Sequence, residues 1–113
     1  MEVLKMGESA KTHQPPYYAV VFTSQRTEGD RGYGKMAEKM EELASQQQGF
    51  LGIESARDSG LGITVSYWDS LDAIRNWKDN SAHKFAQEKG KEEWYKNYTV
   101  RVCKVERAYS FEM

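Results

Sequence analysis

Apolar and polar residues follow one another along the chain in blocks that predict the order β-α-β-β-α-β. Residues 17–25 (YYAVVFTSQ) are β-branched or aromatic at most positions, which favours a strand with both faces covered. From Tyr33 to Gln47 the apolar residues recur at spacings of three and four, which predicts an amphipathic helix. Asp30 is placed to cap this helix, and Gly49 is placed to end it.

The middle of the chain predicts a hairpin followed by two short helical segments. Strands are expected at Phe50–Arg57 and Leu61–Trp68, because the short link between them contains Ser-Gly. Ser70 is expected to cap a second helix. Asn80 interrupts that helix and can cap a further segment, which ends at Gly90 and is followed by a short amphipathic turn.

The last segment, residues 97–111, is predicted to form one long strand. Its apolar residues lie at even positions up to Val102 and at odd positions from Cys103 onward. Such a change of side indicates a bulge, or two halves of the strand covered by different partners. With the two apolar faces of the first strand, it predicts a sheet covered by helices on one face and by a second sheet on the other. A chain of this length supplies one sheet, so a homodimer is expected to supply the second.

Composition and charge limit the class of protein. The 113 residues suit one domain, and 39% hydrophobic with 29% charged residues is ordinary for a globular chain. A net charge of −1 gives no sign of nucleic-acid binding, and no apolar run is long enough for a membrane span. Residues 1–16 are polar and lack the apolar segment of a signal peptide. They are expected to form a mobile arm before a domain at residues 17–113, in a cytoplasmic protein.

The metal and thiol chemistry open to the chain is limited. Cys103 is the single cysteine, which excludes an intrachain disulfide framework, and its apolar strand suggests an inert thiol. His83 is the one histidine of residues 17–113, and no paired ligand spacing accompanies it. No metal site is therefore expected.

The residues from Tyr67 to Tyr109 carry a resemblance to a known family. They are Tyr67-Trp68-Asp69-Ser70, Ala73-Ile74, Trp77, His83, Ala86, Gly90, Trp94-Tyr95, Tyr98 and Val105-Glu106-Arg107. The segment Tyr17–Phe111 resembles the antibiotic biosynthesis monooxygenase domain family. The resemblance implies an α+β fold of the ferredoxin-like βαββαβ type, in which two sheets pack face to face as a dimeric α+β barrel. Members of the family include oxygenases that act on aromatic polyketides without a metal or organic cofactor.

From this resemblance we expect a monooxygenase-like protein that binds a small aromatic molecule of the quinol or anthrone type, together with O2, and needs no cofactor. Its pocket is expected between the sheet and the helices. The expected walls are aromatic side chains: Phe22, Trp68, Trp77 and Tyr95. The two tryptophans also suit the core, because each buries a large apolar area and needs one hydrogen-bond acceptor.

The candidate catalytic residues are His83, Tyr98 and Arg101. An imidazole titrates near neutral pH, so His83 can act as a base; the alternative is a structural role in the capping turn at Asn80. A phenol and a guanidinium can stabilise an oxygen on which negative charge develops, which suits Tyr98 and Arg101. The alternative for Arg101 is an exposed position at the end of a strand.

Two other functions stay open. Haem-degrading members of the family carry an iron-binding histidine where this chain has Gln87, and an asparagine on the first strand, where this chain has none. Glutamine is a poor iron ligand beside imidazole, so haem degradation is disfavoured. A non-catalytic dimer that binds a small molecule is the other alternative, since few titratable groups are expected inside the barrel.

Overall fold

The computed structural model describes residues 10–113, and its elements follow the predicted order. The strands and helices are β1 (Tyr17–Arg26), α1 (Tyr33–Ser45), β2 (Phe50–Arg57), β3 (Leu61–Trp68), α2 (Leu71–Lys78), α3 (Ser81–Lys89), a π-helical turn (Gly90–Trp94) and β4 (Tyr95–Val105). The four strands form one antiparallel sheet in the order β2-β3-β1-β4. The expected α+β fold of the ferredoxin-like type is confirmed. None of the helices described is long and apolar enough to cross a membrane.

The core lies between the helices and one face of the sheet, which we call the helix face. Val20 of β1 packs against a buried cluster that draws on β2, β3, α1 and α2. The members of that cluster are Ala44, Phe50, Ile53, Trp68 and Ala73. Trp68 is fully buried, and its indole Nε1 donates a hydrogen bond to Ser66 Oγ at 2.9 Å. The helices therefore pack mainly over β2, β3 and the first half of β1.

Side-chain caps start α2 and α3 where the sequence predicts them. Ser70 Oγ accepts a hydrogen bond from the Ala73 amide at 3.1 Å. Asn80 Oδ1 accepts from the amides of Ala82 and His83, at 3.0 and 3.2 Å. Each cap satisfies amide groups that the first turn of a helix leaves without a partner, and the second cap turns the chain between the two helices.

The two ends of α1 differ in detail from the prediction. The N-cap residue is Gly32, and the Asp30 carboxylate accepts hydrogen bonds from the amides of Gly32 and Gly34 at 2.9 and 3.1 Å. The helix ends at Ser45, two residues before the predicted Gln47. Gly49 then reverses the chain with a φ of 89°, and a Cβ there would lie 2.6 Å from the Cβ of Ala73.

The predicted last strand is too long. β4 ends at Val105, which pairs with Tyr17, the first residue of β1. Beyond that pair β1 offers no backbone partner, so residues 106–113 leave the sheet. A register shift does occur in β4, but at Lys96 and not at the change of apolar side between Val102 and Cys103. The apolar residues change sides because both faces of the strand carry them. Val102 pairs with Val20 on the helix face, and Cys103, the next residue, points to the opposite face.

Residues 10–16 lie against the face of the sheet opposite the helices, which we call the open face. The Ala10 amide donates to Glu54 Oε2 at 2.9 Å, and His13 Nε2 lies 3.1 Å from the Leu51 carbonyl oxygen. The His13 ring also meets the ring of Tyr17 edge to face, at 6.1 Å between centroids. The rest of the predicted arm, residues 1–9, lies outside the described residues. The domain boundary after residue 16 stays a prediction.

Gly49→Ala is expected to lower the free energy of unfolding by at least about 1–2 kcal/mol, because the alanine Cβ is strained at a positive φ. The approach of Ala73 adds to that cost. Urea denaturation measures the change. Gly60→Ala is the matched control, since its new Cβ would meet only Asp58 Oδ1 at an ordinary 3.8 Å. Equal stability losses in the two variants would contradict the argument.

Candidate functional site

Trp77 and His83 form a stack on the helix side of the sheet. Their rings lie 4.4 Å apart between centroids and are nearly parallel, at 12°. Trp77 in turn stacks on the buried Trp68, at 6.3 Å and 26°. Six residues separate Trp77 from His83, and on one regular helix they would point in different directions. The break at Asn80 folds α3 back, and this brings the two rings together.

The hydrogen bond of His83 determines which ring nitrogen is free. Its Nδ1 lies 3.1 Å from the Trp77 carbonyl oxygen. A carbonyl oxygen only accepts, so this bond places a proton on Nδ1 and leaves the lone pair of the neutral ring on Nε2. Burial lowers the pKa of His83 from its ordinary value of 6.5, and the Trp77 carbonyl offsets part of that effect. The imidazole is therefore neutral at pH 7, with Nε2 able to accept a proton.

A second aromatic cluster lies where β1 meets the start of β4. The ring of Phe22 lies 5.5 Å from that of Tyr95 and 5.1 Å from that of Tyr98. Tyr95 also meets Tyr33 of α1 edge to face, at 5.8 Å. Burial, and next the neighbouring Tyr33, raise the pKa of Tyr95. At neutral pH the Tyr95 hydroxyl is therefore a phenol that donates hydrogen bonds and carries no charge.

An exposed apolar strip joins the two clusters. Val20 and Phe22 of β1 pair with Val102 and Val100 of β4 on the helix face. The helices leave this part of β4 uncovered, and Val100 and Val102 are 45% and 51% exposed. We call these four residues the β4 strip. It leads along the sheet from the core beside Trp77 to the cluster of Phe22, Tyr95 and Tyr98.

The predicted site residues do not all meet in one place. Arg101 pairs with Val21 and is exposed on the open face, whereas Tyr98 lies on the helix face, so the two do not share a site within one protomer. Residues three apart on a strand point to opposite faces, which is the physical reason. Trp68 has no exposed surface, so it can support Trp77 from behind but offers nothing for a ligand to contact.

Other contacts of the site were not apparent from the sequence. Tyr33 was identified only as part of a helical stripe, yet its ring contacts both Tyr95 and Trp94. Val100 and Val102 were expected to be covered. Among residues 10–113, no three His, Cys, Asp or Glu side chains are grouped so as to hold a metal ion. Cys103 is exposed on the open face of the protomer.

Comparison with known proteins identifies relatives in sequence and in fold. Residues 16–89 match the sequence profile of the family described as antibiotic biosynthesis monooxygenase. The uncharacterized protein YqjZ of Bacillus subtilis (strain 168) is 55% identical over 104 residues, which is 91% of each chain.

Two solved structures illustrate the likeness in fold. The structure of Rv0793 from Mycobacterium tuberculosis has a TM-score of 0.73 at 12% identity, and the match covers 83% of this chain and 99% of that one. SnoaB, a cofactor-independent oxygenase from Streptomyces nogalater, has a TM-score of 0.71 at 9% identity, covering 81% of this chain and 95% of its own. At such low identities the likeness concerns the fold alone.

The buried position of His83 makes stability depend on pH. The unfolded chain takes up a proton on this residue near pH 6.5, and the folded chain only at lower pH, so unfolding binds a proton in that window. We expect the melting temperature to fall as the pH is lowered from neutral to about 5, and to fall less in His83→Gln. Thermal denaturation followed by circular dichroism measures both proteins.

The comparison between the two proteins isolates His83. Burial also raises the pKa of Glu41, which acts in the opposite direction, but both proteins share that contribution. Glutamine can donate to the Trp77 carbonyl as the imidazole does, so the hydrogen bond is retained. Identical pH dependence in the two proteins would refute a buried, neutral His83.

Proposed function

The chain belongs to the antibiotic biosynthesis monooxygenase family, and we propose that it oxygenates a small aromatic substrate of the quinol or anthrone type with O2 and without a cofactor. One observation carries the proposal. His83 is a neutral imidazole with its lone pair on Nε2, and it is held face to face against Trp77, whose ring packs on the same core as Val20 of the β4 strip. A base beside an apolar surface is what deprotonation of an electron-rich aromatic requires. The family to which the chain belongs is described as antibiotic biosynthesis monooxygenase, which lends the reaction class further support.

The β4 strip and the aromatic clusters supply the contacts for binding. A planar substrate lies on Val100 and Val102, with the exposed part of Trp77 at one end and the cluster of Phe22, Tyr95 and Tyr98 at the other. Pockets for small molecules are mostly apolar, with few polar groups that set the orientation. Here those polar groups are the imidazole of His83 and the phenols of Tyr95 and Tyr98. Arg101 has no role in this proposal, because it lies on the open face.

The reaction proceeds without an external reductant. His83 Nε2 accepts a proton from the substrate, and the resulting anion transfers one electron to O2. The substrate radical and superoxide combine into a peroxide, which breaks at the O–O bond. For an anthrone, the second C–H bond of the reacting CH2 breaks as the O–O bond breaks, which gives C=O and hydroxide; both hydrogens of the CH2, including the proton returned by His83, end in the water that leaves, so atoms and electrons balance. A phenol such as that of Tyr95 or Tyr98 donates a hydrogen bond to the oxygen on which negative charge develops and so stabilises it.

We also propose that two copies pair through the open face. Leu61 and Ile63 of β3 lie on that face and are 48% and 41% exposed, and Val65 and Val21 stand beside them in the register. Exposed apolar surface of this kind marks an interaction site in a protein that functions in water. Two identical sheets stacked face to face form an isologous interface, in which each copy covers the same residues of the other.

His83→Ala is expected to lower the turnover of an anthrone by about 10²–10⁴-fold, the usual contribution of a general base. Oxygen uptake and quinone formation measure the rate. Lys84→Ala is the matched control, since Lys84 follows His83 on α3 and is exposed. Both variants need to show the native circular dichroism spectrum before their rates are compared.

Unchanged turnover in folded His83→Ala would refute the catalytic role. A Soret shift on adding haem to the wild-type protein, with no anthrone oxidation, would favour the haem alternative in its place.

Ile63→Glu is expected to convert the dimer to a monomer, because it places a charge in the apolar centre of the open face. Light scattering at micromolar concentration measures the mass. Leu71→Glu is the control, since Leu71 is 49% exposed at the start of α2, away from the open face. A wild-type protein that is monomeric at this concentration would contradict the dimer.

A further inference from the structure

A polar cleft of about 580 Å³ opens at the end of the sheet. It lies between the loop after β1, the β2–β3 hairpin and the bulge of β4. Its basic side chains are Arg26, Arg57 and Lys96, and its acidic ones are Glu28, Asp30 and Asp58. Neither His83 nor Trp77 lines it, so the cleft is separate from the site proposed for oxygenation.

The guanidinium groups of Arg26 and Arg57 converge on one aromatic ring. Their Cζ atoms lie 3.8 and 5.7 Å from the centroid of Tyr33. The two positive charges are therefore closer than the Debye length of about 10 Å at 0.1 M salt, and screening between them is incomplete. Holding like charges this close is unfavourable unless a negative charge accompanies them.

No carboxylate of residues 10–113 pairs with either arginine within 4.0 Å; the ion pairs described there join other residues. Arg26 donates from Nε to the Trp94 carbonyl oxygen at 2.9 Å and from Nη2 to that of Gly29 at 3.0 Å. Arg57 donates to Ser24 Oγ and to the Gly60 carbonyl oxygen. Neutral oxygens thus fix the position of both groups, and the Asp58 carboxylate, whose pKa is lowered by backbone amides and also by the charge of Arg57, lies beyond ion-pair distance.

Two of the three acidic side chains of the cleft have backbone partners. The Asp30 carboxylate accepts from amides at the start of α1. Asp58 Oδ1 accepts from the amides of Gly60 and Leu61, which lowers the pKa of this carboxyl group. Glu28 is exposed. The charges of the cleft balance in number, but the carboxylates of Asp30 and Asp58 are held by backbone amides of their own loops.

We propose that this cleft binds a small oxyanion, a carboxylate or phosphate group, through Arg26 and Arg57. A guanidinium presents parallel N–H donors that match two oxygens of either group. Gly62 positions Arg57, because a Cβ at that residue would collide with the guanidinium lying over β3. The proposal uses no residue of the oxygenation site, so either can fail without the other.

The test titrates the full, ¹⁵N-labelled chain with inorganic phosphate and, separately, with acetate, against chloride at matched ionic strength. The amides of residues 25–30 and 57–60 are expected to shift and saturate with a dissociation constant of about 1 mM or below. Gly62→Ala is expected to weaken binding at least about tenfold, because it displaces the guanidinium without changing the net charge. Arg57→Gln is expected to do the same. Arg75→Gln removes one positive charge from an exposed ion pair on α2 and is expected to bind as the wild type does.

Each outcome decides the proposal. Saturable binding of both anions supports an oxyanion site without preference between the two. Saturable binding of phosphate alone supports the site and identifies its ligand as a phosphate compound, and binding of acetate alone identifies it as an organic acid. Absence of saturable shifts in the cleft, or full affinity in Gly62→Ala, overturns it. Arg57→Gln loses the contact with the buried Ser24, and this loss can prevent folding. In that case Gly62→Ala still tests the proposal, because its Cβ requires only the far end of the Arg57 side chain to move.

Discussion

The burial of Trp68 on an inner strand determines where the helices of this protein lie. Its ring meets Phe50 of β2 edge to face at 5.3 Å and carries Trp77 of α2 on its other side. Because α2 begins directly after β3, with Ser70 as its cap, the helix returns over the strand that precedes it. α3 follows through the turn at Asn80. The helices consequently sit mainly over β2 and β3. At the opposite edge Val100 and Val102 stay about half exposed, whereas Tyr95 at the start of β4 meets Tyr33 of α1.

This one-sided cover leaves two apolar surfaces with different properties. The β4 strip is narrow, lies on the helix face and runs from the core beside Trp77 to the rings of Phe22, Tyr95 and Tyr98, which suits a small planar molecule. On the open face, Leu61 and Ile63 stand without a helix above them. A surface of that kind suits a second sheet. The proposed substrate site and the proposed dimer interface therefore both lie where no helix covers the sheet.

A second constraint acts at the end of the sheet, where Trp94 is hydrogen-bonded to the end of β1 and to the loop that follows it. Trp94 is 3% exposed, and its indole Nε1 donates to the Arg31 carbonyl oxygen at 3.0 Å. Its own carbonyl oxygen accepts from Arg26 Nε and from the Thr27 amide, both at 2.9 Å. The π-helical turn ends at Trp94 and places its indole and its carbonyl oxygen against the loop after β1. Arg26 is thus held by backbone carbonyl oxygens and not by an opposite charge, which leaves its charge available to a ligand.

The sequence by itself determined the features that depend on interactions between near neighbours along the chain. Strand blocks, helical spacing and the caps at Ser70 and Asn80 act over a few residues, so the order of elements and the ferredoxin-like fold could be derived from them. The residues between Tyr67 and Tyr109 also pointed to the family. The separation of Tyr98 from Arg101 follows from strand alternation alone and was open to the same reasoning.

Contacts between distant segments were decided only by the tertiary structure. β4 ends where β1 has no further residue to pair with, and the apolar pattern beyond Val105 carries no sign of that. His83 stacks on Trp77 because the chain turns between two helices by an angle that no periodicity specifies. Arg26 and Arg57 meet at Tyr33 through the pairing of three strands. Such contacts depend on register and packing, which are properties of the whole sheet and not of any local stretch of sequence.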